Sequence, residues 1–214
     1  MIARELLLAI WISLKTSGLA ALAASLLAVP AALSLASREF RGKRALLLIN
    51  QTWMAAPTVV IGLLFYYLLS RSGPFGRFGL LYTQTAMTIG QIFLILPLIT
   101  GFSYTALRQV DRRARLTALT LGASRRQAGW VVLREAKFAL LVAVLAGFAR
   151  AVSEVGIAMM LGGNIRNATR NITTAIALES AKGEFTNGVI LGAILLVLTL
   201  GINILVQVGL RSKD

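Results

Sequence analysis

Five long apolar runs dominate this sequence, at about residues 16–36, 46–69, 85–106, 138–161 and 188–209. A membrane-crossing helix needs about 20 mostly apolar residues, so each run is long enough to span a bilayer. Together they take up more than half of the 214 residues and leave little chain for a separate soluble domain. The fold class that follows is all-α, a polytopic membrane protein with five transmembrane helices. The stretch before the first run, Glu5 to Lys15, is too short to cross alone. It carries Trp11 and Lys15, which favour the headgroup level, and is expected to form an N-terminal interfacial helix leading into the first span. Arg4, the apolar run and Ala21-Leu22-Ala23 resemble a weak secretion signal with its cleavage site. Glu5 spoils the basic start, however, and the run continues past that site, so the first span is retained.

Composition removes most chemistry. The chain is 57% apolar and 14% charged, outside the range of soluble domains and too apolar to stay disordered. It has no cysteine and no histidine. Disulfide frameworks, thiolate nucleophiles, Cys/His zinc sites and imidazole-dependent triads are therefore excluded. The 8 carboxylates are scattered along the chain and offer no cluster for a metal ion. No catalytic, cofactor or metal site is expected, and the chain does not read as an enzyme.

Charge placement supplies an orientation. Arg38, Arg41, Lys43 and Arg44, the eight basic residues between 107 and 137, and Arg211 and Lys213 all fall on one side of a five-span layout. Arg4, Lys15, Arg71, Arg77, Arg166, Arg170 and Lys182 fall on the other, and Arg150 lies within a span. The positive-inside rule makes the richer side cytoplasmic, with the N-terminus outside and the C-terminus inside. The net charge of +14 thus reports topology rather than nucleic-acid binding, which calls for a basic solvated fold with interleaved aromatics. On the outer side, 164–187 is polar at both ends with an apolar patch at Ala175–Leu178, consistent with a short amphipathic helix.

Polar features inside the spans are few. Pro30, Pro57 and Pro97 each remove a backbone donor and free a carbonyl one turn earlier. One reading is a helix kink relieved by neighbouring helices. The other is that freed carbonyls, with Thr52, Thr58 and Gln91, face a polar pathway. Arg150 and Glu154 stand four apart on one helix face, where intramembrane charges cost at least about 2.5–3.5 kcal/mol each and tend to pair. They either fix helix packing or line a solute path.

The segment 107–137 is long for a connection between spans. Leu116, Leu119 and Leu121 alternate with Arg and Thr, Gly122-Ala123-Ser124 breaks the helix, and a second amphipathic stretch follows. The pattern is helix, glycine corner, helix, with a basic exposed face. A solvated positive loop accounts for the charge but not for the length or the corner.

Residues Arg115 to Ser124, and above all Leu116-Thr117-Ala118-Leu119-Thr120-Leu121-Gly122-Ala123-Ser124, resemble the cytoplasmic loop of ABC-importer permease subunits. Its pattern is Glu-Ala-Ala, three residues, then Gly. Ala118, Gly122, Ala123 and Ser124 match; Leu116 and Thr117 replace the usual Glu and Ala, and Glu135 stands where Pro is usual. Residues 35–43, 55–62 and 148–156 look like the corresponding parts of molybdate/tungstate-type permeases, and Met159-Met160-Leu161-Gly162-Gly163-Asn164 looks most like the tungstate branch. The resemblance implies a single permease domain over 1–214 that pairs with a second copy of itself. It also implies a loop (Arg115–Leu119, Gly122–Ser124) docked on an ATPase subunit and an external solute-binding protein delivering a tetrahedral oxyanion. ATP and Mg would then bind the two partner ATPases, in keeping with the lack of a GxxxxGK[ST] phosphate loop here. Sulfate or another small solute is the alternative cargo. A nucleotide-independent channel or membrane scaffold is the alternative class, although it leaves the corner unexplained.

Overall fold

A computed structural model of the chain describes residues 3–211, with side chains over 4–204. Ten α-helices occur among the described residues, and no strand. They are α1 (Ala3–Ser37), α2 (Lys43–Met54), α3 (Thr58–Leu69), α4 (Gln84–Gln109), α5 (Arg112–Thr120), α6 (Arg125–Glu135), α7 (Lys137–Val152), α8 (Gly156–Gly162), α9 (Ile172–Ala181) and α10 (Phe185–Arg211). Three are long and apolar enough to cross a membrane, over Arg4–Ser37, Gln84–Gln109 and Phe185–Ile204, and the count reaches five if each of two broken pairs is one span. Lys213, counted above among the basic residues, lies outside the described residues.

Two expectations are corrected. The interfacial helix is not a separate element, because α1 runs unbroken for 35 residues. Thr16, Ser17 and Gly18 supply no stop signal strong enough to end a helix. At 1.5 Å per residue α1 is about 52 Å long, well beyond the roughly 30 Å of hydrocarbon. The second span is likewise not one helix. Pro57, read as lying inside it, is the N-cap of α3 with ψ 128°, and the residue before a proline is pushed out of the helical region. The fourth run breaks between α7 and α8, which meet at 60°. Pro30 and Pro97 do lie inside continuous helices.

The chain divides into two compact units. The first comprises residues up to 20, 56–94 and those from 148 on. Its core holds Met87, Ile157, Leu161 and Ile172, all essentially without exposure. Glycines set the close packing: a Cβ on Gly62 would lie 2.7 Å from Met160 Sδ, and one on Gly90 2.6 Å from Leu161 Cδ1. The short helix α8 therefore sits directly against α3 and α4. Ala9, Ile172, Ala175 and Leu191 join the start of α1 to α9 and α10. The helix expected near Ala175–Leu178 is α9, but its first turn is buried rather than lying on a surface.

The second unit comprises 21–55 and 95–147. Its core is Ala32, Leu107, Val132, Ala136 and Leu140, packed with Val29, Leu33, Tyr104 and Leu133. Gly147 approaches α4 closely, since a Cβ there would stand 2.6 Å from Ile99 Cδ1. Asn50 Nδ2 donates to the Pro97 carbonyl at 3.0 Å and so ties α2 to α4.

Candidate translocation site and coupling corner

The polar residues of the fourth run converge at the α7–α8 break. Arg150 Nη1 donates to Glu154 Oε2 at 2.8 Å, and the two side chains are 39% and 4% exposed respectively. Glu154 Oε1 accepts from the backbone N–H of Ile157 at 3.3 Å, satisfying one of the orphan donors at the start of α8. The Glu154 carbonyl accepts from Thr173 Oγ1 at 2.9 Å. That hydroxyl also reaches Asn171 Oδ1 at 2.9 Å, and Asn171 with Thr174 forms a capping box at the start of α9. Glu154 thus fastens three pieces of chain: the last turn of α7, the first turn of α8 and the first turn of α9.

Thr58 belongs to the same neighbourhood. A Cβ on Gly156 would lie 3.2 Å from Glu154 Oε1 and 3.4 Å from Thr58 Oγ1. Glycine at this position leaves the carboxylate and hydroxyl close around the backbone without crowding Glu154. Pro57 precedes Thr58 and its carbonyl accepts from Val60 and Ile61. Gln91 is fully buried, and its Nε2 donates to Ala151 O at 3.1 Å and Ser17 Oγ at 3.3 Å. Its Oε1 has no partner. Thr52 is placed otherwise: it belongs to the other unit, is exposed on α2, and its hydroxyl bonds back to Leu48 O at 2.9 Å.

Thr173, Ser17 and Gly156 carry contacts at this site that the sequence reading did not assign. The cap pattern Asn171-x-x-Thr174 was the available signal for the first. A cavity of about 590 Å³ also opens in this unit, lined by Leu63, Tyr66, Tyr82, Met159, Met160 and Ile165. Tyr66 and Tyr82 pair their hydroxyls there at 3.2 Å, which pushes the Tyr82 phenol above its usual range. Tyr82 takes φ 64°, a conformation a bulky residue seldom adopts, held by its N–H donating to Leu161 O at 2.8 Å.

The segment 107–137 folds as helix, corner, helix. Asp111 caps α5 by accepting from the Arg113 N–H at 2.8 Å. At the other end Gly122 takes φ +86°, a left-handed position that suits glycine. The N–H of Gly122 donates to Leu119 O at 3.1 Å and that of Ala123 to Ala118 O at 3.0 Å, a Schellman closure. Ser124 and Gln127 then form a capping box that starts α6. The residues singled out by motif, Ala118, Gly122, Ala123 and Ser124, are those that build the corner. Arg115, Thr117 and Leu119 sit on α5 leading into it, and Leu116 and Leu121 stand out at 58% and 83% exposure. On α6, Ala128 and Val132 are buried while Trp130 is exposed.

The chain matches the family of binding-protein-dependent transport system inner membrane components over residues 8–211. It is 39% identical over 208 residues to a probable anion ABC transporter permease protein of Haloferax volcanii, covering 95% of this chain and 88% of that one. It is 37% identical to a tungstate uptake system permease protein of Peptoclostridium acidaminophilum, over 91% of this chain and 85% of the relative. Among solved structures, an amino acid ABC transporter shares its fold with TM-score 0.69 at 18% identity, over 98% of this chain and 94% of that chain. Family membership makes the chain a multi-pass membrane protein and a transport subunit, one that works with ATPase and binding-protein partners. The chain belongs to the binding-protein-dependent transport system inner membrane component family, the permeases of ABC importers.

Proposed function

We propose that the chain translocates a tetrahedral oxyanion, tungstate before molybdate or sulfate, as the permease of an ATP-driven importer. The observation that carries the choice of solute is the 37% identity, over 91% of the chain, to a relative named as a tungstate permease. In this reading two copies pair around one pathway, each corner (Arg115–Leu119, Gly122–Ser124) docks on an ATPase, and an external protein delivers the anion. The exposed Leu116 and Leu121 supply the apolar contact that such docking needs. ATP and Mg stay on the ATPases, the N-terminus is outside, and the C-terminus is cytoplasmic.

The pathway residues of this reading are Pro57, Thr58, Gln91, Arg150 and Glu154, all in one unit, and Thr52, expected with them, is set apart in the other. Their chemistry favours weak contact over capture. A dianion needs donors or positive charge along its route, yet the one intramembrane arginine is neutralised by Glu154 at 2.8 Å. Weak binding suits conduction, since a deep well traps the solute. Selectivity therefore rests with the external binding protein.

Reconstitution into liposomes with both partners tests the proposal. Labelled tungstate should enter only when ATP and the binding protein are both present. Import of an amino acid or a sugar by the same ATP-active complex overturns the oxyanion assignment.

A further inference from the structure

A second site lies in the other unit, at the ends of two spans. A groove of about 390 Å³ opens between the end of α1, the end of α4, and α5 and α6. Its floor is apolar, with Ala36, Leu107 and Val132. Arg108, Arg112 and Arg115 line the same groove. These arginines are not gathered by one helix face. Arg108 belongs to the last turn of α4, Arg112 and Arg115 to the start of α5, and the turn set by the Asp111 cap brings them together.

Two acids line the groove as well, Glu39 and Asp111, each bonded through one oxygen. Glu39 accepts from Lys43 Nζ at 2.7 Å, and Asp111 accepts from the Arg113 N–H. Among the described residues no carboxylate lies within 4.0 Å of Arg108, Arg112 or Arg115. A solvated positive loop accounts for basic residues here, but not for three guanidinia facing two carboxylates around one cleft with an apolar side, which leaves the lining net positive. Arg4–Ser37 and Gln84–Gln109 are candidate spans, so a groove at the ends of both lies at the membrane surface or just outside it.

We propose that this groove binds the headgroup of an anionic phospholipid, with Arg108 and Arg112 on the phosphodiester and the apolar side against the glycerol and upper acyl chain, while Arg115 stays with the docking corner. Guanidinium forks match phosphate oxygens in pairs, and basic pockets between membrane helices favour anionic headgroups. A free phosphate satisfies the arginines but leaves the floor uncovered, so the bilayer lipid is the better occupant. The proposal rests on the span assignment and not on the choice of solute.

Native mass spectrometry tests it on the full-length permease, released from nanodiscs holding equal amounts of phosphatidylglycerol and phosphatidylcholine with the same chains. Wild type should retain phosphatidylglycerol selectively. Arg108→Gln/Arg112→Gln should lower that retention about ten- to thirty-fold, the factor that two interfacial arginines supply. Arg125→Gln/Arg126→Gln removes the same charge from exposed positions on α6 and should stay within about two-fold of wild type on the same charge scale. Ala36→Phe fills the floor while keeping every guanidinium, should also lower retention, and decides the matter if the double variant fails to fold. Equal loss in the α6 control overturns the site in favour of diffuse charge. Displacement of the lipid by inorganic phosphate, or unchanged retention in Ala36→Phe, overturns the lipid as occupant. Unchanged lipid with loss of ATPase co-purification overturns it in favour of an acidic protein surface.

Discussion

The α5–α6 corner and the α7–α8 break both interrupt a helix, and they hold their shape by opposite means. The corner is closed by neighbours in sequence: Ala118, Leu119, Gly122, Ser124 and Gln127, through backbone and capping hydrogen bonds. Each bond spans five residues or fewer. The break is closed by Glu154, whose buried carboxylate accepts from Arg150 and from the Ile157 N–H and whose backbone carbonyl accepts from Thr173. Local closure depends on residues adjacent in sequence, as suits an element proposed to dock on another protein. Tertiary closure makes the break depend on α9 and couples the two helices that flank it.

Removing Glu154 should have the largest effect. Glu154→Ala leaves Arg150 and the Ile157 N–H without their partner in a buried setting. The expected loss is about 2–3 kcal/mol, at or below the low end of the range for fully buried pairs because the Arg150 side chain is 39% exposed. Thermal unfolding in detergent measures it. Arg150→Met together with Glu154→Leu should recover part of that loss, since both charges leave together. An unchanged melting temperature in Glu154→Ala would mean the break is held by apolar packing alone.

A smaller effect is expected at Gly122. Nothing lies within 4 Å of a Cβ placed there, so a side chain finds space, and the strain comes from φ +86° itself. Gly122→Val should cost about 1–2 kcal/mol, confined to the corner. Solute-stimulated ATP hydrolysis in the assembled importer should nevertheless fall sharply, because the docking surface is distorted. Gly122→Asn, which tolerates the left-handed region, should keep most of that activity. Normal uptake by the valine variant at normal expression would remove the corner from coupling. Ser124→Ala is milder again, at about 1 kcal/mol of local helix stability. Hydrogen exchange should show it as faster exchange at the Gln127 amide, which donates to Ser124 Oγ, with exchange at Ile157 unmoved.

The contrast also explains what was readable in the sequence. The corner was legible because its signals are adjacent residues with fixed roles, and the helix–glycine–helix pattern appears where it was expected. The Arg150–Glu154 pair was legible from its spacing of four. Its use as a cap for α8 was not, because Val155 and Gly156 continue an apolar run that looks like one helix. Pro57 was visible, but that it starts a helix while Pro30 and Pro97 lie inside continuous ones was not, since all three are the same residue in an apolar run. Lys43 was counted among the basic residues that set the orientation, and it is 6% exposed. The Arg38 carbonyl at 3.2 Å and the Tyr104 ring at 5.7 Å hold it, and neither partner follows from composition.

Lys43 and Glu39 give the smallest expected effect and the sharpest control on Glu154. Both pairs have i,i+4 spacing and short contacts, 2.7 Å and 2.8 Å, but their burial is reversed: Glu39 is 80% exposed where Glu154 is 4%. The hydrogen bond from Lys43 holds the Glu39 carboxyl below the ordinary carboxylate range, against a partial desolvation that raises it, and the charges of Lys43, Arg108 and Arg112 lower it further. A carboxyl lowered in the folded state favours folding at pH above its ordinary value. That contribution is lost as pH falls through the lowered folded value, so acidification should weaken the start of α2. Water around so exposed a carboxylate screens the pair, and the change in melting temperature between neutral and acidic pH should be slight. Glu39→Gln removes the titrating group and should flatten that small slope, while Lys43→Met should flatten it and also lower stability at every pH by stripping a buried donor from the Arg38 carbonyl. If Glu39→Gln instead destabilised the protein as much as Glu154→Ala, the exposure of the carboxylate would not be what separates the two pairs.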